Sequence, residues 1–297
     1  MDNMKIDKEK LEYVIEKNQE FIQNEKLCAC NIAPSIADYS NPLYQAVYVI
    51  KYFSAYYFEY CFLANTFYLF LNKIGKRDVN IISLGSGPCP DYYAFMDNLN
   101  GINFSYTGVD CNVWNRELFP DVIDTNFSSV IDSAENIEGL DFYDVISFPK
   151  SITNIFGVEL NDEAKRKIRE FVNKLVLSGK NEIIIFISYE FYNAIGHFIY
   201  MSEVLNSKKY EIIDSIDSIN KSGQYWYLGR RCYSDIYNCY INEDLYSINN
   251  DFIFSNTKCD DLSCAIKISC KILHSSLKTN SLMFGNFFVF KRGEHDN

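Results

Sequence analysis

Between residues 79 and 190 short apolar runs alternate with stretches of helical period, and this alternation constrains the fold more than any other feature of the chain. The runs 79-VNIISLG-85, 102-INFSYTGVD-110, 142-FYDVISF-148 and 182-EIIIFIS-188 read as strands, and helical stretches near 91–99, 114–119 and 161–177 separate them. Strands that are apolar throughout and connected by helices predict a parallel sheet covered on both faces. Further strands are expected at 209-KYEIIDSI-216 and 282-LMFGNFFVFKR-292. Residues 220–280 read as an insertion of irregular and β structure before the terminal strand.

Ahead of the sheet, residues 1–77 predict a helical cap. Asp7 can start a helix over 7–24 whose stripe carries Leu11, Val14, Ile15, Phe21 and Ile22. Asn41 followed by Pro42 is an N-cap with proline at the first helical position, and it opens a second helix running to the neighbourhood of Gly75. That helix is aromatic (52-YFSAYYFEY-60), yet Gln45, Lys51, Glu59 and Asn65 interrupt it. A bilayer span wants about 20 apolar residues with few charges, so a buried helix is expected and no membrane span. The second domain is then 78–297, including the insertion.

The net charge of −11 disfavours a wholesale nucleic-acid coat, which needs Lys and Arg to release counterions. Basic runs such as 165-KRKIR-169 read as solvated helix faces. Ten cysteines at irregular spacing, in a chain opening on the polar MDNMKIDKEK, predict a reducing, cytoplasmic compartment and free thiols. The tightest group, 259-CDDLSCAIKISC-270 with His274, lacks two matched C-x₂₋₄-C pairs, so no metal site is expected.

The chemistry centres on 81-IISLGSGPCPD-91. Glycines let a ligand approach the backbone without a Cβ in the way, and a helix starting behind the turn favours negative charge. About 20 positions on, 106-YTGVD-110 ends in Asp110, and a carboxylate there can accept from both ribose hydroxyls of a nucleoside cofactor. Two structural alternatives remain at this stage: a tight turn with no ligand, and an aspartate that caps the next helix. A dinucleotide fingerprint would place its third glycine where this chain has Pro90, which speaks against a nicotinamide or flavin enzyme.

The strand, glycine turn and acidic end of strand two resemble the class I S-adenosylmethionine-dependent methyltransferases over roughly residues 79–190. The resemblance implies a Rossmann-like, mostly parallel seven-stranded α/β sheet with helices on both faces, and S-adenosylmethionine as cofactor. Gly85, Ser86, Gly87 and Pro88 would lie against its methionyl part, Asp110 on its ribose, Cys111 and Asn112 near ribose or adenine. Phe148 and Pro149 would border the methyl at the strand-four exit, and 124-DTNF-127 the adenine. Two positions depart from the pattern: Ser83 stands where an acidic residue is frequent, and Cys89 replaces a third glycine. Ser147-Phe148-Pro149-Lys150 lacks the Asp/Asn-Pro-Pro-aromatic motif of base amino-methylases and the Pro-Cys of cytosine C5-methylases. The acceptor is therefore expected to be a small molecule, with RNA and protein left open. Tyr57, Glu59, Tyr60, Lys150 and His197 are the candidates to contact it; for His197, roles as a general base and as a packing residue both stand. No catalytic residue is assigned. A degenerate fold acting as a binding or regulatory module is the alternative function.

Overall fold

The computed structural model describes residues 7–24, 38–120, 126–189, 193–215 and 284–293. In chain order these form α1 (Lys8–Asn24), α2 (Pro42–Ile74), β1 (Asp78–Leu84), α3 (Pro90–Asn98), β2 (Asn103–Asp110), β3 (Phe127–Ile131), β4 (Val145–Pro149), α4 (Ile152–Phe156), α5 (Asp162–Leu175), β5 (Glu182–Tyr189), α6 (Asn193–Ser207), β6 (Tyr210–Ser215) and β7 (Phe284–Arg292). A 3₁₀ turn at Arg116–Leu118 follows β2. The insertion expected at 220–280, with its cysteines and His274, lies outside the described residues, as do Cys28, Cys30 and, of 124-DTNF-127, Asp124 and Thr125.

The strands make one sheet in the order β3-β2-β1-β4-β5-β7-β6. The first five positions are parallel, and β7 runs antiparallel between β5 and β6. The order reverses at β1, which pairs with β2 on one side and β4 on the other. Such a switch point opens a crevice beyond the carboxyl ends of the strands, where doubly wound sheets bind ligands.

Alternation along each strand feeds two cores. Val79, Ile81, Val145, Ile184 and Phe186 face α1, α2 and α3, whereas Ile82, Leu84, Ile146, Phe148, Ile183 and Ile185 face α4, α5 and α6. The first core is the aromatic one: Phe67 of α2 meets Phe186 and Phe287 at centroid distances of 4.9 and 5.4 Å. The cap is thus a layer of the fold. Its long helix runs unbroken for 33 residues, with the Asn41 side chain accepting from the Leu43 amide and Gly75 closing it at φ 72°. Among the described residues no helix is long and apolar enough to cross a membrane.

A buried polar knot fastens α1 to this layer. Lys10 Nζ lies 2.6 and 2.7 Å from the Asp97 carboxylate of α3, and Tyr57 of α2 donates its hydroxyl to the same group. The Tyr57 oxygen in turn accepts from the Asp7 amide at 3.0 Å.

Candidate functional site

The turn after β1 is shaped by positive φ at Gly85 (68°), Gly87 (51°) and Cys89 (55°). Cys89 therefore holds a left-handed backbone, at a steric cost a non-glycine residue bears in that region. Gly85 is fixed by packing: a Cβ there would stand 2.5 Å from the Ser151 Cβ, and Ser151 Oγ donates to the Leu84 carbonyl just before it. The first glycine is thus required by the fold itself, whatever it contacts beyond.

The amides of the turn are already engaged. Gly85 and Ser86 donate to the Val109 carbonyl at 2.8 and 2.9 Å, Cys89 donates to the Ser86 carbonyl at 2.8 Å, and Pro88 and Pro90 have no N–H. Gly87 donates to Asp110 Oδ2 at 2.9 Å. A turn built this way lacks the fan of free N–H groups that cradles a phosphate, a stronger argument against a pyrophosphate than the missing third glycine.

Asp110 is half-buried at the end of β2. Its Oδ1 accepts from the Asn112 amide at 2.8 Å while Oδ2 holds Gly87. Main chain on two sides orients the carboxylate, whose two oxygens offer about four lone-pair sites. Cys111 beside it is exposed, and desolvation, then the Asp110 charge, raise its thiol. Trp114, four residues on, is the site residue that sequence reasoning missed. A Cβ on Gly87 would stand 3.4 Å from its ring, and the indole is 7% exposed. Its Nε1 is buried with no hydrogen-bond partner among the described residues. An orphaned N–H and an oriented carboxylate, both against Gly87, offer a donor and an acceptor of the kind a nucleoside takes.

Beneath the turn lies a second unforeseen feature. Asp91, in the first turn of α3, is completely buried and accepts from one hydroxyl on each of three adjacent strands: Ser83 of β1 at 2.7 Å, Tyr106 of β2 at 2.8 Å and Ser147 of β4 at 3.0 Å. Burial drives its carboxyl above the ordinary value, and these bonds with the Tyr92 amide pull it back only in part. The helix N-terminus adds favourable field. Cys89 Sγ, also buried, receives Arg116 Nη2 at 3.2 Å; burial raises the thiol and the guanidinium opposes it.

The strand-four exit meets α2. Lys150 has φ 59°, and its amide donates to the Ser188 carbonyl at 3.1 Å and to Ser188 Oγ at 3.2 Å. Its ammonium lies 3.1 Å from Glu59 Oε2 and 5.0 Å from the centre of the Tyr56 ring, with side chains 7% and 1% exposed for Lys150 and Glu59. Tyr60 shares a hydrogen bond with Ser188 Oγ. Burial, then the Asp91 charge, push the Tyr60 phenol well above its usual range, so it stays protonated.

Of the candidates drawn from the sequence, Gly85, Ser86, Gly87, Pro88, Asp110, Cys111 and Asn112 gather at the carboxyl ends of β1 and β2. Glu59, Tyr60, Pro149 and Lys150 gather at those of β4 and β5. Three others are placed elsewhere. The Phe148 ring packs in the second core on Phe156 and Phe171, at 6.0 and 5.6 Å, so only its main chain borders the crevice. Tyr57 points to Asp97 and the α1 knot. His197 is fully buried in α6, between the core residues Ala194 and Phe198, on the face of the sheet opposite α2.

No protein-family model matches the chain, and no curated protein gives a significant sequence match. Among solved structures, the chain is matched by the plantazolicin methyltransferase BpumL in complex with a monoazolic desmethylPZN analog and SAH (14% identity, TM-score 0.40, covering 96% of this chain and 97% of that one). A second is a putative S-adenosyl-L-methionine-dependent methyltransferase from Methanococcus maripaludis (12% identity, TM-score 0.33, covering 80% and 88%). A third is the 1,6-didemethyltoxoflavin-N1-methyltransferase of Burkholderia thailandensis with S-adenosylhomocysteine (11% identity, TM-score 0.33, covering 50% and 68%). The fold is that of the Rossmann-like α/β proteins, as the strand order and the two helical layers define it. At these identities the likenesses carry no residue assignment.

Proposed function

We propose that the chain is a methyltransferase that uses S-adenosylmethionine and acts on a small-molecule acceptor. The observation that carries this reading is the Gly87–Asp110 hydrogen bond, which joins a glycine turn to the acidic end of β2 at the switch point of the sheet. In this reading the turn Gly85-Ser86-Gly87 borders the methionyl part, Asp110 accepts from the ribose hydroxyls, and Trp114 lies beside the nucleoside. When bound, the cofactor would supply a sulfonium methyl for transfer to an acceptor lone pair, leaving as the neutral thioether, and any proton on the acceptor would reach bulk water once the site reopens. The residues of this chain exclude water and hold the acceptor in line, and such positioning supplies much of the acceleration in two-substrate transfers. Glu59, Tyr60, Ser188 and Lys150 are assigned to the acceptor side. No member of the set is assigned as a base.

Thermal-shift titrations with S-adenosylmethionine, S-adenosylhomocysteine and NAD test the reading. A rise in melting temperature with the first two and none with NAD is expected. A shift with NAD alone would transfer the chain to the dinucleotide enzymes. No shift with any of the three, in a folded sample, would leave no cofactor role for the turn.

A further inference from the structure

Along one face of α2, Tyr48, Tyr52 and Tyr56 recur every four residues. Their rings form a continuous wall, with centroids 4.9 Å apart for the first pair and 5.6 Å for the second, the latter nearly parallel at 18°. Tyr48 also lies 5.8 Å from Trp114, the ring against Gly87, and Tyr56 lies under the Lys150 ammonium at 5.0 Å. Trp114 follows β2 and Lys150 follows β4, so the wall runs along the carboxyl edge of the sheet from the nucleoside end of the crevice to the acceptor end. At i, i+4 and i+8 the rings span about 12 Å of helix, and Tyr48 and Tyr52 remain only half-buried.

At the far end the ammonium is more than nine-tenths buried and in ionic contact with Glu59, yet it has no partner in hydrogen-bond geometry among the described residues. Its backbone is held in the left-handed region by two bonds to Ser188. Non-glycine residues in that region cluster at ligand sites, where the surrounding structure maintains the strain. Beyond the ionic contact with Glu59, the ammonium's N–H groups meet no acceptor in hydrogen-bond geometry among the described residues. Because Glu59 already balances its charge, a third buried charge would be uncompensated and costly.

We propose that this wall and Lys150 form the acceptor site, and that the acceptor is an uncharged planar aromatic compound that directs a carbonyl or similar lone-pair oxygen at Lys150. The assignment rests on the methyltransferase reading for the word acceptor. The stacking surface selects flat rings, whose faces meet aromatic side chains favourably. The ammonium selects an oxygen lone pair, and the Glu59 partner selects against anions.

Three small probes separate these requirements: acetophenone is planar and uncharged with a carbonyl, benzoate is planar and anionic, and cyclohexyl methyl ketone keeps the carbonyl without the flat ring. Binding of each is measured by saturation-transfer NMR and calorimetry, on the free protein and on protein saturated with S-adenosylhomocysteine. Acetophenone is expected to bind roughly tenfold tighter than either of the others. Lys150→Met should weaken it by about tenfold or more, the worth of a hydrogen bond to a charged donor. Tyr52→Leu should weaken it severalfold, and both variants should keep their affinity for S-adenosylhomocysteine. Should Lys150→Met fail to fold with Glu59 left alone, Tyr52→Leu and the ranking of the three probes decide. Equal binding of the probes, a preference for benzoate, no binding of acetophenone, or a Tyr52→Leu protein indistinguishable from wild type would overturn the inference. Absence of S-adenosylhomocysteine binding overturns the methyltransferase reading whatever the probes do, whereas failure of the probes on the saturated protein removes only this assignment.

Discussion

Ser83 Oγ donates to Asp91 Oδ2 over 2.7 Å, so a carboxylate sits beside the end of β1 although β1 itself carries none there. The family pattern frequently has an acidic residue at the Ser83 position. Here the charge arrives from the first turn of the following helix, and serines on β1 and β4 with the Tyr106 phenol fill its coordination. The carboxylate beside β1 is thus supplied by α3. Ser83→Asp alone places two carboxylates within hydrogen-bond range and should be strongly destabilising; adding Asp91→Ser should recover much of the loss. A double-mutant cycle by urea unfolding measures this coupling, and strictly additive losses would show that the two positions do not share one charge.

Asp91 also sets a pH dependence. Its folded carboxyl lies above its unfolded value because burial outweighs its hydrogen bonds. The native state then binds the extra proton in the window between the two values, and stability falls as pH rises through it. The contribution is fully present below the unfolded value of about 4 and lost above the folded one. Relative to Asp91→Asn, wild-type stability should decline as pH rises from about 4 through the folded value and then level off. A difference that does not vary with pH would contradict the sign of the shift.

At Cys89 two effects oppose. Cys89→Gly removes left-handed strain of about 1–2 kcal/mol but also a buried thiol of similar worth, so stability should change by less than about 1 kcal/mol. Cys89→Val adds a branched Cβ where φ is 55° and should cost about 2 kcal/mol or more. Chemical denaturation of the pair distinguishes a backbone requirement from a requirement for sulfur.

The Lys10–Asp97 pair, with side chains 8% and 5% exposed, ties α1 to α3. Lys10→Met leaves a buried carboxylate and should cost about 3–5 kcal/mol, with Lys10→Met/Asp97→Leu recovering part of it. Unfolding midpoints of the three proteins check this. Equal losses in the single and double variants would mean that the charge pair contributes nothing beyond packing.

The parallel strands, α2 with its Asn41–Pro42 start, and the glycine turn with Asp110 were legible because apolar runs and caps are local signals. β3 was not: Phe127–Ile131 is an edge strand with four exposed residues and no alternation, so nothing in 127-FSSVI-131 separates it from a loop. Asp91, Trp114 and the destinations of Tyr57 and His197 were invisible for a different reason. Each depends on which elements the sheet brings together, and one helix turn divides Tyr57, aimed at Asp97, from Tyr60, aimed at Ser188. The sequence reading makes Gly85 a ligand glycine, whereas its contact with Ser151 is a packing need that sequence spacing does not reveal.

Calorimetric titration with S-adenosylhomocysteine tests the proposal that the Gly87–Asp110 junction holds the cofactor. Wild type should bind one equivalent, and Asp110→Asn should bind at least about tenfold more weakly through loss of charged hydrogen-bond acceptance. Gly87→Arg, which has to accommodate a side chain against Trp114 at φ 51°, should not bind while still unfolding cooperatively. Wild-type affinity retained in both folded variants would contradict the account.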